Sequence, residues 1–351
     1  MPAPWLLYGA NGFTGKLIAA EAARRGMRPI LAGREPKKIE PLGRELNCPT
    51  KIFSLDDPQA LAAELTGVKA VLHCAGPFSA TSRPMVEGCL AAGAHYLDIT
   101  GEIDAIEAAA ARHDRARAAG VCLIPAVGFD VVPSDCLAAM LAERQPGSVR
   151  LQMAFTFRGS ASPGTLKTML EAIPAGARVR EDGKIVAKPL GWRALRIPFP
   201  DGPRSAMIVP WGDVASAWHT TGVPNIEVYL AVPKAQIVAV RLFRPLLAAL
   251  RWRPLASLAR RAIGRLVRGP SAKERETARA GFWGRAIDAE GRSIAATLAT
   301  PGGYPLTVWT ALGALERVLA GSVAPGFSTP ARAFGSRFIL EHPQAEFRQL
   351  Y

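Results

Sequence analysis

The chain has 351 residues, 49% of them hydrophobic and 21% charged, with a formal net charge of +14. This is the composition of an ordinary globular protein with room for two or three domains. A run of about 18 apolar residues is missing, which excludes a transmembrane helix, and the five cysteines are too scattered for a disulfide framework or a zinc site. We therefore expect a cytoplasmic protein with reduced thiols, and no signal peptide because the first strand begins by Trp5.

Three glycines spaced three apart follow the first apolar run. Gly9, Gly12 and Gly15 lie between that run and a stretch of strong helix formers that begins at Lys16. This order predicts a strand, a tight turn and a helix N-terminus, which together present backbone N–H groups to a pyrophosphate. Gly9 suits the tight turn, Gly12 lets the phosphates approach the backbone, and Gly15 lets the helix pack close to the strand. The sequence therefore predicts a dinucleotide site, and a plain turn in an α/β protein is the alternative.

The second predicted strand, 28–34, ends in Arg34, nineteen residues after Gly15. A NAD-binding unit usually has Asp or Glu at this place, where the carboxylate holds the ribose 2′-OH. A guanidinium instead pairs with a 2′-phosphate and stacks on adenine. Arg34 therefore predicts NADP(H) as the cofactor, with a solvated arginine at a strand end as the alternative.

Strands and helices go on alternating as far as residue 126. Further strands are predicted at 50–55, 70–78, 95–100 and 121–126, with helices at 59–65, 83–93 and 103–119 between them. This alternation predicts a doubly wound parallel sheet, whose ligands lie at the carboxyl ends of the strands. The predicted cofactor-binding residues are Gly9, Asn11, Gly12, Phe13, Thr14, Gly15, Arg34, Ser54, Leu55, Ala75, Gly76 and Pro77.

Beyond residue 128 the alternation stops. A turn-rich segment, 128–135, opens a helix that runs to about residue 143. The predicted elements that follow are strands at 151–157, 184–187, 206–209, 215–220 and 226–231, a helix at 164–173, a hairpin of 281–288 and 293–300, and helices at 307–319 and 329–341. We therefore expect a Rossmann domain at 1–128, a mixed α+β domain at 129–300, and C-terminal helices at 301–351 that pack back.

Four motifs carry a family resemblance. They are YGANGFTG at 8–15, AGPF at 75–78, YLDITGE at 96–102 and GFDVVPSD at 128–135. Together they resemble the saccharopine dehydrogenase-like family, and within it the branch that includes trans-acting enoyl reductases. The tail segments 302–307 and 328–331 are similar to that branch too. The resemblance is tight in the first 140 residues and loose from about 175 to 275, and Ser54 departs from it, because relatives commonly carry an acidic residue there.

The resemblance implies a nicotinamide-dependent reduction, with substrate contacts from the second domain. No Gly-x-Ser-x-Gly elbow and no metal spacing of histidines is present, but hydride transfer needs neither, because the protein has only to orient the cofactor and supply a proton. Candidate donors at strand ends are Asp98, Thr100, Glu102, Asp130, Ser134 and Asp135. We predict that Thr100, Glu102 and Asp130 are catalytic, while each candidate also has a structural alternative, such as a helix N-cap or a buried partner. His73, inside a strand, is predicted to be buried.

These observations predict an NADP(H)-dependent reductase that acts on a C=C bond of a lipid-like or polyketide-like acceptor. Reduction of an imine or carbonyl, as in saccharopine chemistry, is one alternative. A nucleotide-binding scaffold without turnover is the other.

The segment Lys234–Arg268 contains nine Lys or Arg and no Asp or Glu. Leucines, Phe243 and Trp252 lie between the charges, and prolines break the segment into short amphipathic helices. Such a segment suits an anionic membrane surface or a lipid-bearing acyl carrier, which would place the protein at the inner face of the membrane. The alternative is a core-packed segment or a homodimer face. No nucleic-acid partner is expected, because no recognised nucleic-acid module accompanies the charges.

Overall fold

The computed structural model describes residues 3–157, 176–248 and 269–351, together with single positions between these ranges. The chain forms two compact units. The first consists of Met1–Val132 and Tyr304–Gly335, and the second of Pro133–Gly303 and Ser336–Tyr351. The ranges 1–128, 129–300 and 301–351 stay a prediction for the domains. No helix in the described part of the chain is long and apolar enough to cross a membrane.

The first unit is built on a parallel sheet. Its described strands are β1 (Trp5–Tyr8), β2 (Ile30–Gly33), β3 (Thr50–Ile52), β4 (Ala70–His73), β5 (His95–Asp98), β6 (Cys122–Ile124) and β15 (Gly326–Phe327). Their order in this seven-stranded sheet is β15-β6-β5-β4-β1-β2-β3. Every pairing is parallel. The predicted doubly wound Rossmann sheet is therefore confirmed.

Helices connect these strands and fill the core. They are α1 (Phe13–Arg24), α2 (Pro36–Leu46), α3 (Pro58–Glu64), α4 (Phe78–Ala92), α5 (Ile103–Ala110), α6 (His113–Ala118), α12 (Gly303–Leu319) and α13 (Pro330–Phe334). The helix predicted at 103–119 is two helices, and α4 begins five residues earlier than predicted. Helix α12 supplies Ala311, Leu312 and Leu315 to the same buried cluster as Leu7 of β1. A distant part of the chain thus completes the core of the first unit.

The second unit contains a mixed sheet. Its described strands are β7 (Arg150–Phe157), β8 (Ala177–Glu181), β9 (Lys184–Lys188), β10 (Ala194–Phe199), β11 (Gly202–Ile208), β12 (Asn225–Ala231), β13 (Arg279–Ile287), β14 (Ser293–Pro301) and β16 (Glu346–Gln349). Strands β12 and β7 pair in parallel, and the other pairings are antiparallel. The helical segments are α7 (Val132–Arg144), α8 (Asp213–Thr221), α9 (Lys234–Leu242), α10 (Arg244–Ala248), α11 (Ala272–Thr277) and a 3-10 turn at Phe338–Glu341. The predicted mixed second domain is confirmed.

Several predicted elements of this part of the chain were wrong. The strand predicted at 215–220 is helix α8, whose first five residues, Asp213 to Ala217, are all buried and which ends at Gly222 with φ +73°. The helix predicted at 329–341 is only the short α13 and the 3-10 turn. Strands β8, β10 and β16 were not predicted. The helix predicted at 164–173 lies mostly outside the described residues.

Candidate functional site

The carboxyl ends of the parallel strands meet at one edge of the first unit. Strand β1 has β2 on one side and β4 on the other, so the loops after β1 and β4 lead to helices on different sides of the sheet. In an open α/β sheet this reversal of strand order opens the crevice that takes the ligand. All the predicted cofactor-binding and catalytic residues lie in loops or helix starts that follow these strands.

The glycine turn has the geometry of a phosphate-binding loop. Gly9 has φ +80°, and a Cβ there would lie 2.8 Å from the backbone nitrogen of Ala75. A Cβ on Gly15 would lie 2.2 Å from the carbonyl oxygen of Gly9, so only glycine allows α1 to start this close to β1. Gly12 is the N-cap of α1, with extended backbone and no side-chain cap. The amides of the first turn of α1, which starts at Phe13, are therefore presented to an anion.

Arg34 lies on the β2 side of the crevice, and its side chain is exposed. The neighbouring acid, Glu35, pairs with Lys38 at 2.7 Å. Burial raises the pKa of the Tyr8 hydroxyl, and the positive charge of Arg34 opposes that rise, which places the guanidinium near the end of β1. The Tyr8 hydroxyl donates to the carbonyl of Phe53 at 3.1 Å. An exposed cation next to the glycine turn is what a 2′-phosphate requires.

Ser54 and Leu55 follow β3 on the same side. The Ser54 hydroxyl is exposed and donates to the carboxylate of Asp56 at 2.5 Å. An acidic group is thus present two residues after Ser54 in this chain. Leu55 is half-buried. The adenine contacts of these residues stay predictions.

Glu102 has a structural role that the sequence analysis did not predict. Its carboxylate accepts hydrogen bonds from the backbone N–H groups of Phe78, at 2.9 Å, and Ser79, at 2.6 Å. These are the first two residues of α4, so Glu102 caps that helix from the loop after β5. The Thr100 hydroxyl is buried and accepts the N–H of Glu102 at 3.0 Å. Both residues organise the loop, and their catalytic roles stay predictions.

Asp98 ties the ends of β5 and β6 together. It is 1% exposed, and its carboxylate accepts the hydroxyl of Tyr96 and the N–H groups of Thr100 and Ala126 at 2.5, 2.9 and 2.7 Å. Burial raises the pKa of Asp98 to about 6, although these three hydrogen bonds lower it. Ala126 has φ +63°, a left-handed conformation that is rare for a residue with a Cβ. Asp98 therefore acts as a fixed connection at the base of the site.

Asp130 lies in the loop after β6, and its carboxyl group has a raised pKa. Burial raises its pKa to about 6, and the residue as a whole is half-buried. It packs on Gly101, where a Cβ would lie 3.0 Å from the Cβ of Asp130. The loops after β5 and β6 thus approach each other, and they hold a carboxyl group whose pKa suits proton transfer near neutral pH.

Two residues of the tail, Tyr304 and Thr307, join this edge although the sequence analysis gave them no role in the site. The ring of Tyr304 packs edge-on against Phe13 of the glycine turn, with centroids 4.8 Å apart. The Thr307 hydroxyl accepts the N–H of Phe129 at 3.0 Å, next to Asp130. The signal in the sequence was the tail motif at 302–307, which resembles the family but is distant in the chain.

The other candidates are structural. His73 is fully buried, as predicted, and burial lowers its pKa to about 3. Its Nε2 lies 3.0 Å from the Thr81 hydroxyl, which donates to the carbonyl of Ala75 at 2.6 Å. Asp135 belongs to the second unit, where it is buried and accepts the hydroxyl of Thr220 at 2.6 Å. Both side chains are buried, and the role of Asp135 as a proton donor stays a prediction.

Comparison with known families identifies the cofactor. Residues 5–124 match the model of the saccharopine dehydrogenase NADP binding domain. This part of the chain is therefore similar to the NADP-binding domain of saccharopine dehydrogenase. The predicted cofactor, NADP(H), is thereby confirmed, and the glycine turn and exposed Arg34 fit its pyrophosphate and 2′-phosphate.

Named relatives support the same family. A Mycobacterium tuberculosis protein, provisionally named a trans-acting enoyl reductase, is 32% identical over 241 residues, which are 61% of this chain and 56% of that protein. The trans-acting enoyl reductase of Mycobacterium ulcerans is 29% identical over 57% of this chain and 51% of its own length. A protein of Arabidopsis thaliana is 35% identical over 37% of this chain and 32% of its own length. It is named a probable mitochondrial saccharopine dehydrogenase-like oxidoreductase. The chain spans about half the length, or less, of these relatives.

A solved structure has the same fold. Apo saccharopine dehydrogenase (L-Glu forming) from Saccharomyces cerevisiae matches with a TM-score of 0.67 and 12% identity, over 99% of this chain and 100% of that chain. At this identity the match shows the fold alone. Together the matches confirm the resemblance to the saccharopine dehydrogenase-like oxidoreductases.

Proposed function

We propose that the chain is an NADP(H)-dependent reductase that saturates a C=C bond of a lipid-like or polyketide-like acceptor. The observation that carries the proposal is Asp130, a half-buried residue whose carboxyl group has a pKa of about 6 and which lies at the same edge as the glycine turn. Reduction of a polarised C=C bond needs a hydride at one carbon and a proton at the other. NADPH supplies the hydride when bound, and an acid near neutral pH supplies the proton.

The strand order suggests which loops lie near each end of the cofactor. The loops after β1 and β2 hold the glycine turn and Arg34, which suit the pyrophosphate and the 2′-phosphate. The loops after β4, β5 and β6 lie on the other side of β1, where the nicotinamide end of a dinucleotide bound across the crevice would be. Asp130 belongs to that side and would protonate the carbon next to the acceptor's activating carbonyl.

The charge of these loops favours a neutral acceptor. The segments 74–80, 99–103 and 125–131 contain no Lys or Arg. A substrate with several carboxylates, such as saccharopine, needs cationic partners when it leaves water. An acyl or polyketide chain with a neutral enoyl group does not. The names of the Mycobacterium relatives agree with this acceptor class.

The test is NADPH oxidation at saturating cofactor with three acceptor classes: an enoyl thioester, a ketone of equal chain length, and an imine formed from an α-keto acid and an amine. We expect turnover with the enoyl thioester and stoichiometric formation of the saturated thioester by mass spectrometry. Turnover confined to the imine or ketone would establish the alternative, a reductase of saccharopine dehydrogenase type. The Asp130→Asn variant serves as the chemical control, because it keeps the shape of the side chain but cannot supply an acidic proton.

A scaffold that binds NADP(H) without turnover is the second candidate. The capping role of Glu102 and the burial of Thr100 favour it, because they engage two of the three predicted catalytic residues in loop structure. Calorimetric binding of NADPH together with no oxidation in the presence of any of the three acceptors would establish this role.

For the reductase, we also propose a location in the cytoplasm, at the inner face of a membrane. A lipid-like acceptor would be found there.

A further inference from the structure

The second unit presents an apolar helical face to solvent. Val238 and Leu242 of α9 and Leu246 of α10 are 63%, 69% and 68% exposed. They are spaced four residues apart, so they follow one another along the same side of the helical path. We call these three residues the outer stripe. Side chains of this size are normally buried when they recur at helical spacing.

The outer stripe is not the face by which these helices attach to their own unit. On the other side of α9, Ile237 is buried and Val240 packs near Gly191. Arg241 donates from Nε to the carbonyl of Gly191, and Arg244 to that of Leu190, both at 2.8 Å. The inner face is thus already occupied, and the outer stripe points away from it.

Exposed apolar residues are concentrated in this part of the chain. Of the twelve large apolar side chains that are exposed among the described residues, seven lie between 238 and 266. They include Phe243 and Trp252, and aromatic side chains are common at the level of lipid headgroups. A concentration of this kind marks an interaction surface.

The charge of the same segment identifies the kind of partner. Nine Lys or Arg and no Asp or Glu lie in Lys234–Arg268. A second copy of the chain would bring two such sets of positive charge together, which costs electrostatic free energy. An anionic surface would neutralise them while the apolar side chains enter its acyl region.

We propose that the outer stripe and the basic segment around it dock the protein on an anionic lipid membrane. The apolar side chains insert at the interface, and the positive charge of the segment attracts the anionic lipid headgroups. An insoluble acceptor could then reach the enzyme from the bilayer without crossing water. The docking itself does not depend on the proposed reaction, since it is measured without acceptor.

The experiment is co-sedimentation of the full chain with phosphatidylcholine vesicles, with and without about 30 mol% phosphatidylglycerol. We expect binding to the anionic vesicles to be at least about tenfold stronger, and to weaken strongly when salt rises to about 0.5 M. Equal binding to both vesicle types, or no binding to the anionic ones at low salt, would overturn the proposal.

Two pairs of variants separate the apolar and the charged contributions. Leu242→Ser with Leu246→Ser should reduce partitioning about tenfold or more, whereas Leu350→Ser, an exposed leucine near the C-terminus, should not. The salt-sensitive part of vesicle binding should fall in a variant with Gln in place of Arg251, Arg253, Arg260 and Arg261. The control, Arg28→Gln with Lys69→Gln, should have little effect on vesicle binding. The midpoint of urea unfolding, unchanged in all variants, checks that each one is folded.

A light-scattering measurement tests the other occupants. A dimer could persist at about 0.5 M salt and be lost in Leu242→Ser with Leu246→Ser. This result would show that a second copy of the chain covers the outer stripe. Saturable binding of an acidic acyl carrier protein, with no vesicle binding, would identify a protein partner. Either result overturns the membrane proposal and leaves the proposed reductase activity untouched.

Discussion

The carboxylate of Asp98 accepts the N–H of Ala126 at 2.7 Å and thereby holds the loop after β6 against the end of β5. Ala126 has φ +63° at this point, so the hydrogen bond stabilises a backbone conformation that alanine rarely adopts. The same carboxylate accepts two further hydrogen bonds, from Tyr96 and Thr100. Gly128, Phe129 and Asp130 follow Ala126, so this contact positions the predicted proton donor.

Replacement of Asp98 should show how much of the loop depends on it. Asp98→Ala leaves three buried donors without an acceptor, and we expect a loss of about 3–5 kcal/mol in the free energy of unfolding. Asp98→Asn keeps the acceptor oxygen for both N–H groups and should stay within about 1 kcal/mol of the wild type at pH 7. Urea unfolding of the cofactor-free protein measures both. Equal stability of Asp98→Ala and the wild type would contradict the structural role.

The pH dependence of stability gives a second measure of Asp98. Its folded pKa of about 6 lies above the value of about 3.9 for an unfolded chain. Because the folded state binds this proton more tightly, protonation of Asp98 adds about 3 kcal/mol to the free energy of unfolding. This contribution is complete below about pH 4 and is lost as the pH rises through 6. In Asp98→Asn that slope between pH 4 and 6 should be reduced. An unchanged slope would mean that other groups, such as Asp130, account for it.

Arg34 should set the preference for NADPH over NADH. The lost guanidinium–phosphate interaction in Arg34→Ala is worth about 1.5–3 kcal/mol, or roughly ten- to hundred-fold in affinity for NADPH. NADH affinity should change little, because NADH lacks the 2′-phosphate. Titration calorimetry with both nucleotides gives the ratio, and Lys37→Ala, an exposed cation three residues later, is the matched control. A ratio that is the same in Arg34→Ala and the wild type would remove Arg34 from the cofactor site.

The glycines of the turn should separate binding from stability. A Cβ on Gly15 would lie 2.2 Å from the backbone oxygen of Gly9, so Gly15→Ala should destabilise the fold by several kcal/mol, about 2–5. A Cβ on Gly12 has 3.1 Å to the same oxygen, and its φ of −69° suits any residue. Gly12→Val should therefore fold but bind NADPH poorly, because the branched side chain occupies the space of the pyrophosphate. Thermal unfolding and NADPH titration of both variants make the comparison, and unaltered affinity in Gly12→Val argues against the assignment.

The tail should contribute to the nucleotide site through Tyr304. An edge-to-face pair such as Tyr304–Phe13 is worth about 0.5–1.5 kcal/mol beyond its buried area. We expect a coupling energy of that size in a double-mutant cycle with Tyr304→Leu and Phe13→Leu, measured by urea unfolding. Tyr304→Phe keeps the ring and is the control. Additive effects of the two leucine variants would show that the contact contributes no coupling.

The parts of the site that were predicted from the sequence are those whose signals are local. Gly9, Gly12 and Gly15 lie within seven residues, and their spacing alone defines the turn. Contacts between distant segments gave no such signal: Tyr304 reaches Phe13 across 291 residues, and Glu102 caps a helix that starts at Phe78. The pattern at 215–220 misled because its six residues, ASAWHT, are too few to distinguish the alternation of a strand from the spacing of a helix.

Asp130 should determine how turnover depends on pH. As a proton donor it must be protonated, and its pKa of about 6 leaves about a tenth of it protonated at pH 7. The rate of acceptor reduction should therefore fall as the pH rises above 6, tenfold per unit at the limit. In Asp130→Asn this fall should disappear and turnover should drop about 10²–10⁴-fold, while NADPH affinity stays near that of the wild type. Glu102→Gln is the comparison: it keeps one acceptor for the start of α4, and a purely capping role predicts lower stability with an unchanged pH profile. A wild-type rate and pH profile in Asp130→Asn would assign the proton to another donor.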